Sequence, residues 1–320
     1  MRFVMSGPRK YRWRRLLAAL ALPIASGGLV PVFAQAAPAG GFEELLVPSS
    51  MGPIKVQVQW AKHGGGAALY LLDGMAARDD KNAWTFETNA LQQFAEDDVT
   101  LVMPVGGLSS WYQDWISPSN TNGQKLTYKW ETFLSRELPD FLAGYGVSKT
   151  NNAVAGLSMS GSAALQLAAY HRDQFKYAAS YSGALNISAP GMREAIRVAV
   201  LRWGAYNIDA MAPPWSPQWL RMDPFVFAPQ LKGLPMYISA GSALPGEFNR
   251  PSNVSQVFDT GVGMGIEAVT LMNTRAFEYR LNQLKIPATY SFPPAGTHTW
   301  KYWELELSKS RPGILAALGA

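Results

Sequence analysis

The stretch Asn151-Asn-Ala-Val-Ala-Gly-Leu-Ser-Met-Ser-Gly161, continued by Ser162-Ala-Ala-Leu-Gln-Leu-Ala-Ala-Tyr-His171, decides the fold. An apolar run long enough for one buried strand (Ala153–Leu157) meets a turn of small residues. An Ala-rich helical pattern (Ser160–Arg172) follows at once. This is the arrangement of a nucleophile elbow. There the serine occupies a strained backbone position at the C-terminal end of a strand, and the residues two away on either side must be small. Gly156-x-Ser158-x-Ser160-Gly161 fits, with Ser160 where a glycine is usual. Ser158 would sit at a helix N-terminus, beside free backbone N–H groups that favour a developing oxyanion. Ser160 and Ser162 are expected to act as helix-capping residues.

Outward from the elbow, short apolar runs alternate with helical patterns. Strands are expected at Lys55–Trp60, Leu69–Leu72, Thr100–Val105, Ala178–Tyr181, Met236–Ala240 and Thr289–Phe292. Helices are expected at Lys129–Tyr145 (with Pro139 as a kink), at roughly Gly265–Leu284, and at Trp300–Ser308, with Pro312-Gly313 beyond its end. The alternation predicts an α/β fold with a mostly parallel sheet covered on both faces. Residues 184–234 break it. They carry Trp203, Trp215, Trp219, three methionines and several prolines, and they predict an irregular or helical insertion over one edge of the sheet. That insertion would form either a second small core or an apolar cover over a substrate.

A serine hydroxyl needs a base, usually histidine. The chain has three: His63, His171 and His298. His63 precedes a Gly triplet that reads as a loop. His171 lies on the elbow helix more than three turns on, too far to serve Ser158, and reads as a helix C-terminal residue. His298, in Ser291-Phe-Pro-Pro-Ala-Gly-Thr-His-Thr-Trp300, falls in a loop between the last strand and the last helix, where such a fold presents its base. The acid should lie between Ser158 and His298 in the chain. The region after the strand Met236–Ala240 offers Glu247, Asp259 and Glu267, and pattern alone leaves the three open.

Composition sets the remaining bounds. The chain has 320 residues, 48% of them hydrophobic, and no cysteine, so disulfides and Cys-based metal sites are excluded. Six Lys and Arg and no acid lie in residues 1–36; without them 22 Lys and Arg face 23 Asp and Glu, a net charge of −1. The basic excess therefore belongs to the N-terminal segment and gives no ground for a nucleic-acid partner. That segment has a basic stretch, an apolar run from Leu16 to Phe33 broken by Pro23 and Gly27-Gly28, and Ala34-Gln35-Ala36. It predicts a signal peptide over 1–36, by the Sec or the twin-arginine route, and one domain over 37–320 with no transmembrane span. No phosphate-binding Gly loop or His/carboxylate ligand set is present, so no cofactor and no metal are expected.

Several separate stretches resemble the antigen 85 type mycolyltransferases. They are Tyr70-Leu-Leu-Asp-Gly74, Val102-Met-Pro-Val-Gly-Gly107, Trp111-Tyr-Gln-Asp-Trp115, Thr127-Tyr-Lys-Trp-Glu-Thr-Phe133, Gly156-Leu-Ser-Met159, Asp223-Pro224 and Phe292-Pro-Pro-x-Gly-Thr-His-x-Trp300. The resemblance runs from about Phe42 to the C-terminus. It implies an α/β-hydrolase fold and a double-displacement acyl transfer. In that reaction the serine takes a mycolyl chain from trehalose monomycolate and passes it to a second trehalose monomycolate or to arabinogalactan. It makes Ser158 the nucleophile, His298 the base and Glu267 the acid. It implies an oxyanion hole from the backbone N–H groups of Met75 and Met159, and sugar contact by Asp73, with Arg78 and Trp300 as further substrate-binding candidates. It also implies a secreted or envelope-held protein with trehalose mycolates and envelope glycan as partners, and host-matrix binding as a further property. The chain departs from the family in three places. Ala76 stands where Arg is common, Ser117–Lys125 lacks a cysteine pair, and Gly241–Asn249 is compact. A secreted carboxylesterase with the same triad and a noncatalytic carbohydrate- or matrix-binding relative are the competing readings.

Overall fold

The strand Asn152–Leu157 (β5) lies near the middle of one eight-stranded sheet in the computed structural model, which describes residues 38–320. The others are Phe42–Val47 (β1), Ile54–Gln59 (β2), Ala68–Leu72 (β3), Thr100–Pro104 (β4), Phe175–Tyr181 (β6), Met236–Ser239 (β7) and Thr289–Ser291 (β8). Their order is β1-β2-β4-β3-β5-β6-β7-β8, antiparallel across β1, β2 and β4 and parallel from β4 onward. Every residue of β3, β4 and β5 is buried. Central parallel strands covered on both faces need continuous apolar runs, which is why these three were legible as strands. β1 was not, because its outer half is exposed and its FEELLV pattern carries two glutamates. The signal peptide expected over 1–36 lies outside the described residues. None of the described helices is long and apolar enough to cross a membrane.

Two hydrophobic clusters fill the layers on either side of the sheet. One joins Tyr70, Val102, Trp115 and Phe133 to the elbow helix (Met159–Tyr170), and the other joins Leu69, Leu101, Trp84 and Tyr181 to the C-terminal helix (Trp300–Leu318). The elbow helix has eleven buried residues, so its alanines serve close packing more than amphipathic patterning.

Three helices differ from the sequence-based expectation. The segment after Lys129 is interrupted: a helical turn at Trp130–Thr132 passes through a π-helical stretch, Phe133–Glu137, into Leu138–Ala143. Pro139 removes an N–H and crowds the carbonyl four residues back, and the wider π turn just before it absorbs both effects. The C-terminal helix does not stop before Pro312 but runs through it to Leu318. Ser308 and Pro312 both face solvent, so water can satisfy the lost bond, while Ile314 and Leu318 are buried against the sheet. Packing outweighs the local penalty here. The helix expected from Gly265 begins eleven residues earlier, at Val254, where the Asn253 side chain accepts the Gln256 N–H as an N-cap. Gly261, Gly263 and Gly265 lower helix propensity in that first half and hid it.

The insertion between β6 and β7 is mostly helical, with its longest helix at Met192–Arg202. It forms no second small core: its buried side chains join the main one, and the remainder lines a cleft. Trp219, Met211 and Met222 are buried in the main core, whereas Trp203 is 43% exposed and lines a cleft above Ser158.

Candidate active site

Ser158 terminates β5 with φ 51° and ψ −120°, and the next residue starts the elbow helix. A side chain at φ > 0 is strained, and the surroundings must hold it there. Gly156 is one such constraint: a Cβ on it would stand 2.2 Å from the Ser160 carbonyl oxygen. Gly156→Ala is therefore expected to destabilise the fold by about 3 kcal/mol or more, read as a lowered denaturant midpoint at unchanged slope. Ser160 does not cap the helix. Its Oγ accepts the Leu157 N–H at 2.9 Å and donates toward the Leu72 carbonyl at 3.1 Å, tying the ends of β5 and β3 together. Ser162 also makes no cap: it donates to the Met159 carbonyl and accepts the Trp111 indole N–H.

The structure brings Ser158, His298 and Glu267 into one chain of hydrogen bonds. The Ser158 hydroxyl lies 2.8 Å from His298 Nε2, and His298 Nδ1 lies 2.7 Å from Glu267 Oε2. With Nδ1–H donating to the carboxylate, Nε2 is left as the acceptor for the serine proton. The His298 loop is itself held, since its backbone N–H donates to the Gly263 carbonyl at 3.2 Å. Of the three acids left open by the sequence, Glu267 is the one in reach of His298, on the buried face of the helix Val254–Gln283. It is completely buried. Burial pushes its carboxyl pKa up, but hydrogen bonds from His298, Ser182 and Gly241 outweigh that and hold it below the ordinary value. Ser182 Oγ donates to Glu267 Oε1 at 2.7 Å, and the Gly241 N–H reaches the same oxygen at 2.5 Å. Trp303 donates its indole N–H to Ser182 Oγ at 3.0 Å.

Sequence reasoning missed Ser182, Gly241 and Trp303. The available signals were Tyr181-Ser-Gly183 and Ala240-Gly241 directly after two parallel strands, at the edge where such sheets bind ligands.

Asp73 follows β3 on the neighbouring strand end. It is buried, with Oδ1 accepting the Gly74 N–H at 2.7 Å and Oδ2 accepting the Ala83 N–H at 2.8 Å. Burial lifts its carboxyl to about 6 against the pull of those two donors. Its own N–H is taken by the Tyr112 hydroxyl at 3.0 Å. Asp73 thus braces the Gly74-Met75 turn while lining the cleft. The N–H groups of Met75 and Met159 have no acceptor among the described residues, and both residues line the cleft beside Ser158. Arg78 lines the cleft but is engaged bidentately by Asp80 at 2.6 and 2.7 Å, so it is not a free replacement for the arginine missing at Ala76. Trp300 lines the same cleft and packs edge-on to Trp84 and Trp303.

The cleft has a volume of about 600 Å³ and a predominantly apolar lining. Its lining includes Met192, Ile196 and Trp203, from the insertion, and Ile266 and Val269, from the helix that carries Glu267. His171 and His63 lie elsewhere. His171 caps the elbow helix and bonds Glu131 at 3.0 Å; His63 bonds Asp98 on an exposed loop.

Such a sheet, with an elbow serine at its carboxyl edge, is that of an α/β-hydrolase, and the Esterase family model matches residues 49–314. The relatives are more specific. The chain is 41% identical over 280 residues to diacylglycerol acyltransferase/mycolyltransferase Ag85C of Mycobacterium leprae, spanning 85% of this chain and 80% of that protein. It is 39% identical over 323 residues to diacylglycerol acyltransferase/mycolyltransferase Ag85B of Mycolicibacterium smegmatis, spanning 95% and 94%. The crystal structure of Mycobacterium tuberculosis MPT51 (FbpC1) superposes with a TM-score of 0.74 at 29% identity, over 88% of this chain and 100% of that one. The chain belongs to the antigen 85 family of acyltransferases.

Proposed function

We propose that this protein transfers a mycolyl group from trehalose monomycolate to a second trehalose monomycolate, or to arabinogalactan, through an acyl-enzyme on Ser158. The observation that carries this reading is the chain Ser158–His298–Glu267, with both bonds at 2.8 Å or less, at the floor of a large apolar cleft. In the first half-reaction His298 Nε2 takes the Ser158 proton as Oγ attacks the ester carbonyl. Glu267 keeps the imidazole in the required tautomer and stabilises the imidazolium. The Met75 and Met159 N–H groups receive the negative charge on the carbonyl oxygen. Collapse of the tetrahedral intermediate breaks the ester C–O bond, and the imidazolium returns its proton to the departing trehalose oxygen. In the second half-reaction a sugar hydroxyl enters, His298 takes its proton, the new ester forms, and Ser158 regains the proton.

The lining suits the acyl part. Burying an alkyl chain against Met192, Ile196, Ile266 and Val269 gains about 25 cal/mol per Å² of surface removed from water. Asp73 and Trp300 are the sugar contacts of this reading. Each Asp73 oxygen has one lone pair left for a sugar hydroxyl, and Trp300 offers an aromatic face. Arg78 would join them by exchanging Asp80 for the substrate. The basic stretch, the apolar run and Ala34-Gln35-Ala36 support a protein that works outside the membrane, with residues 1–36 removed as a signal peptide on export.

The test is product analysis. Protein beginning at Ala37 is incubated with trehalose monomycolate or a short-chain analogue, and free acid is separated from trehalose diester. Diester as the main product supports the transferase. Free acid alone would make the protein an esterase, and no product would favour the noncatalytic relative.

A further inference from the structure

A buried carboxylate must be bonded at both oxygens to stay ionised, and the donors must point one way. At Glu267 Oε1 the two donors differ in kind. The Gly241 N–H is fixed by the backbone, with Gly241 so close to the His298 loop that a Cβ would stand 2.6 Å from the Gly296 carbonyl. The Ser182 hydroxyl, by contrast, rotates freely unless something restrains it. Its own backbone is set, with φ 50° at the end of β6 and its N–H bonded to the Ser239 carbonyl at 2.8 Å. The rotor is restrained by Trp303. Indole is a donor only, so its N–H must occupy a lone pair of Ser182 Oγ, and the hydroxyl proton is left to point at Glu267 Oε1. The same indole meets the His298 ring edge-on, with centroids 4.8 Å apart at 87°.

We propose that Trp303 and Ser182 form a positioning relay, in which the indole N–H sets the direction of the Ser182 hydroxyl and so keeps the Glu267 carboxylate aimed at His298. The relay rests on the reading of Ser158, His298 and Glu267 given above. Trp303 acts on the acid through Ser182, so the two residues should behave as one unit, and this distinguishes the relay from ordinary core packing.

Four proteins test it: wild type, Ser182→Ala, Trp303→Phe and the double variant. Each is assayed for kcat and KM on a trehalose ester and on an aryl ester, and for its unfolding midpoint. Ser182→Ala should lower kcat roughly ten- to a hundredfold with KM within about twofold, because a hydrogen bond to a charged group is lost. Trp303→Phe should lower kcat less. The double variant should be no slower than Ser182→Ala, and it should unfold later than Ser182→Ala because no buried indole N–H is left without an acceptor. Multiplied losses, a double variant whose activity recovers along with its stability, or wild-type rates throughout would overturn the relay. If the wild type turns over the aryl ester but not the trehalose ester, the mycolyl reading fails and the relay is still tested. If it turns over neither, the catalytic reading fails and the relay with it.

Discussion

Ser158→Ala is expected to lower kcat/KM for acyl transfer by roughly ten-thousandfold or more while leaving the unfolding free energy within about 1 kcal/mol of wild type. The size follows from the mechanism. With no hydroxyl at this position no ester can form on the protein, and His298 has nothing to activate except water or the sugar itself. What remains is binding in the cleft and the two N–H groups of Met75 and Met159. The small effect on stability follows from the surroundings: Ser158 Oγ bonds only His298 Nε2 among the described residues, and the strained φ of 51° is imposed by Gly156, Ser160 and the start of the elbow helix. Steady-state kinetics beside a denaturant titration checks both parts. A variant that keeps more than a few per cent of wild-type diester formation would remove Ser158 from the mechanism.

Glu267→Gln is expected to be nearly as damaging, with kcat falling by roughly a thousand- to ten-thousandfold at little change in KM. Its effect follows from counting donors and acceptors. Glu267 accepts on both oxygens, from Ser182 and Gly241 at Oε1 and from His298 at Oε2. An amide has one oxygen. The Gly241 N–H cannot turn round, so the amide oxygen must face it and the NH₂ must face His298. A donor opposite Nδ1 forces the imidazole proton onto Nε2, and the ring then cannot take the proton of Ser158. Glu267→Asp should lose less, since it keeps an acceptor for Nδ1–H although at a longer reach. A Gln variant as active as the Asp variant would contradict this assignment of the tautomer.

The elbow was legible because its requirements are local. Gly156, Ser158 and the small residues after it are constrained by their immediate neighbours, so the pattern survives in a single sequence. His298 was legible by scarcity, as one of three histidines and the one in a suitable loop. Glu267 was not separable from Glu247 and Asp259 by pattern. Its link to His298 spans 31 positions and depends on which face of a 30-residue helix turns inward. The glycines at 261, 263 and 265 blurred that helix further. Ser182, Gly241 and Trp303 meet around one carboxylate from two strand ends and a helix, a convergence that only the folded sheet produces. Pro312 shows the opposite failure: a strong local stop signal was overridden by the burial of Ile314 and Leu318, two and six residues later.

The mechanism requires an ester bond between the substrate acyl group and Ser158, and that bond can be weighed. Protein mixed with a trehalose ester, quenched in acid within the first turnovers and digested would be read by mass spectrometry. The expected result is the acyl mass on the peptide spanning Asn151 to His171, localised to Ser158 and absent from the Ser158→Ala protein. Diester forming at the full rate with no acyl adduct, or with the adduct on another residue, would contradict it.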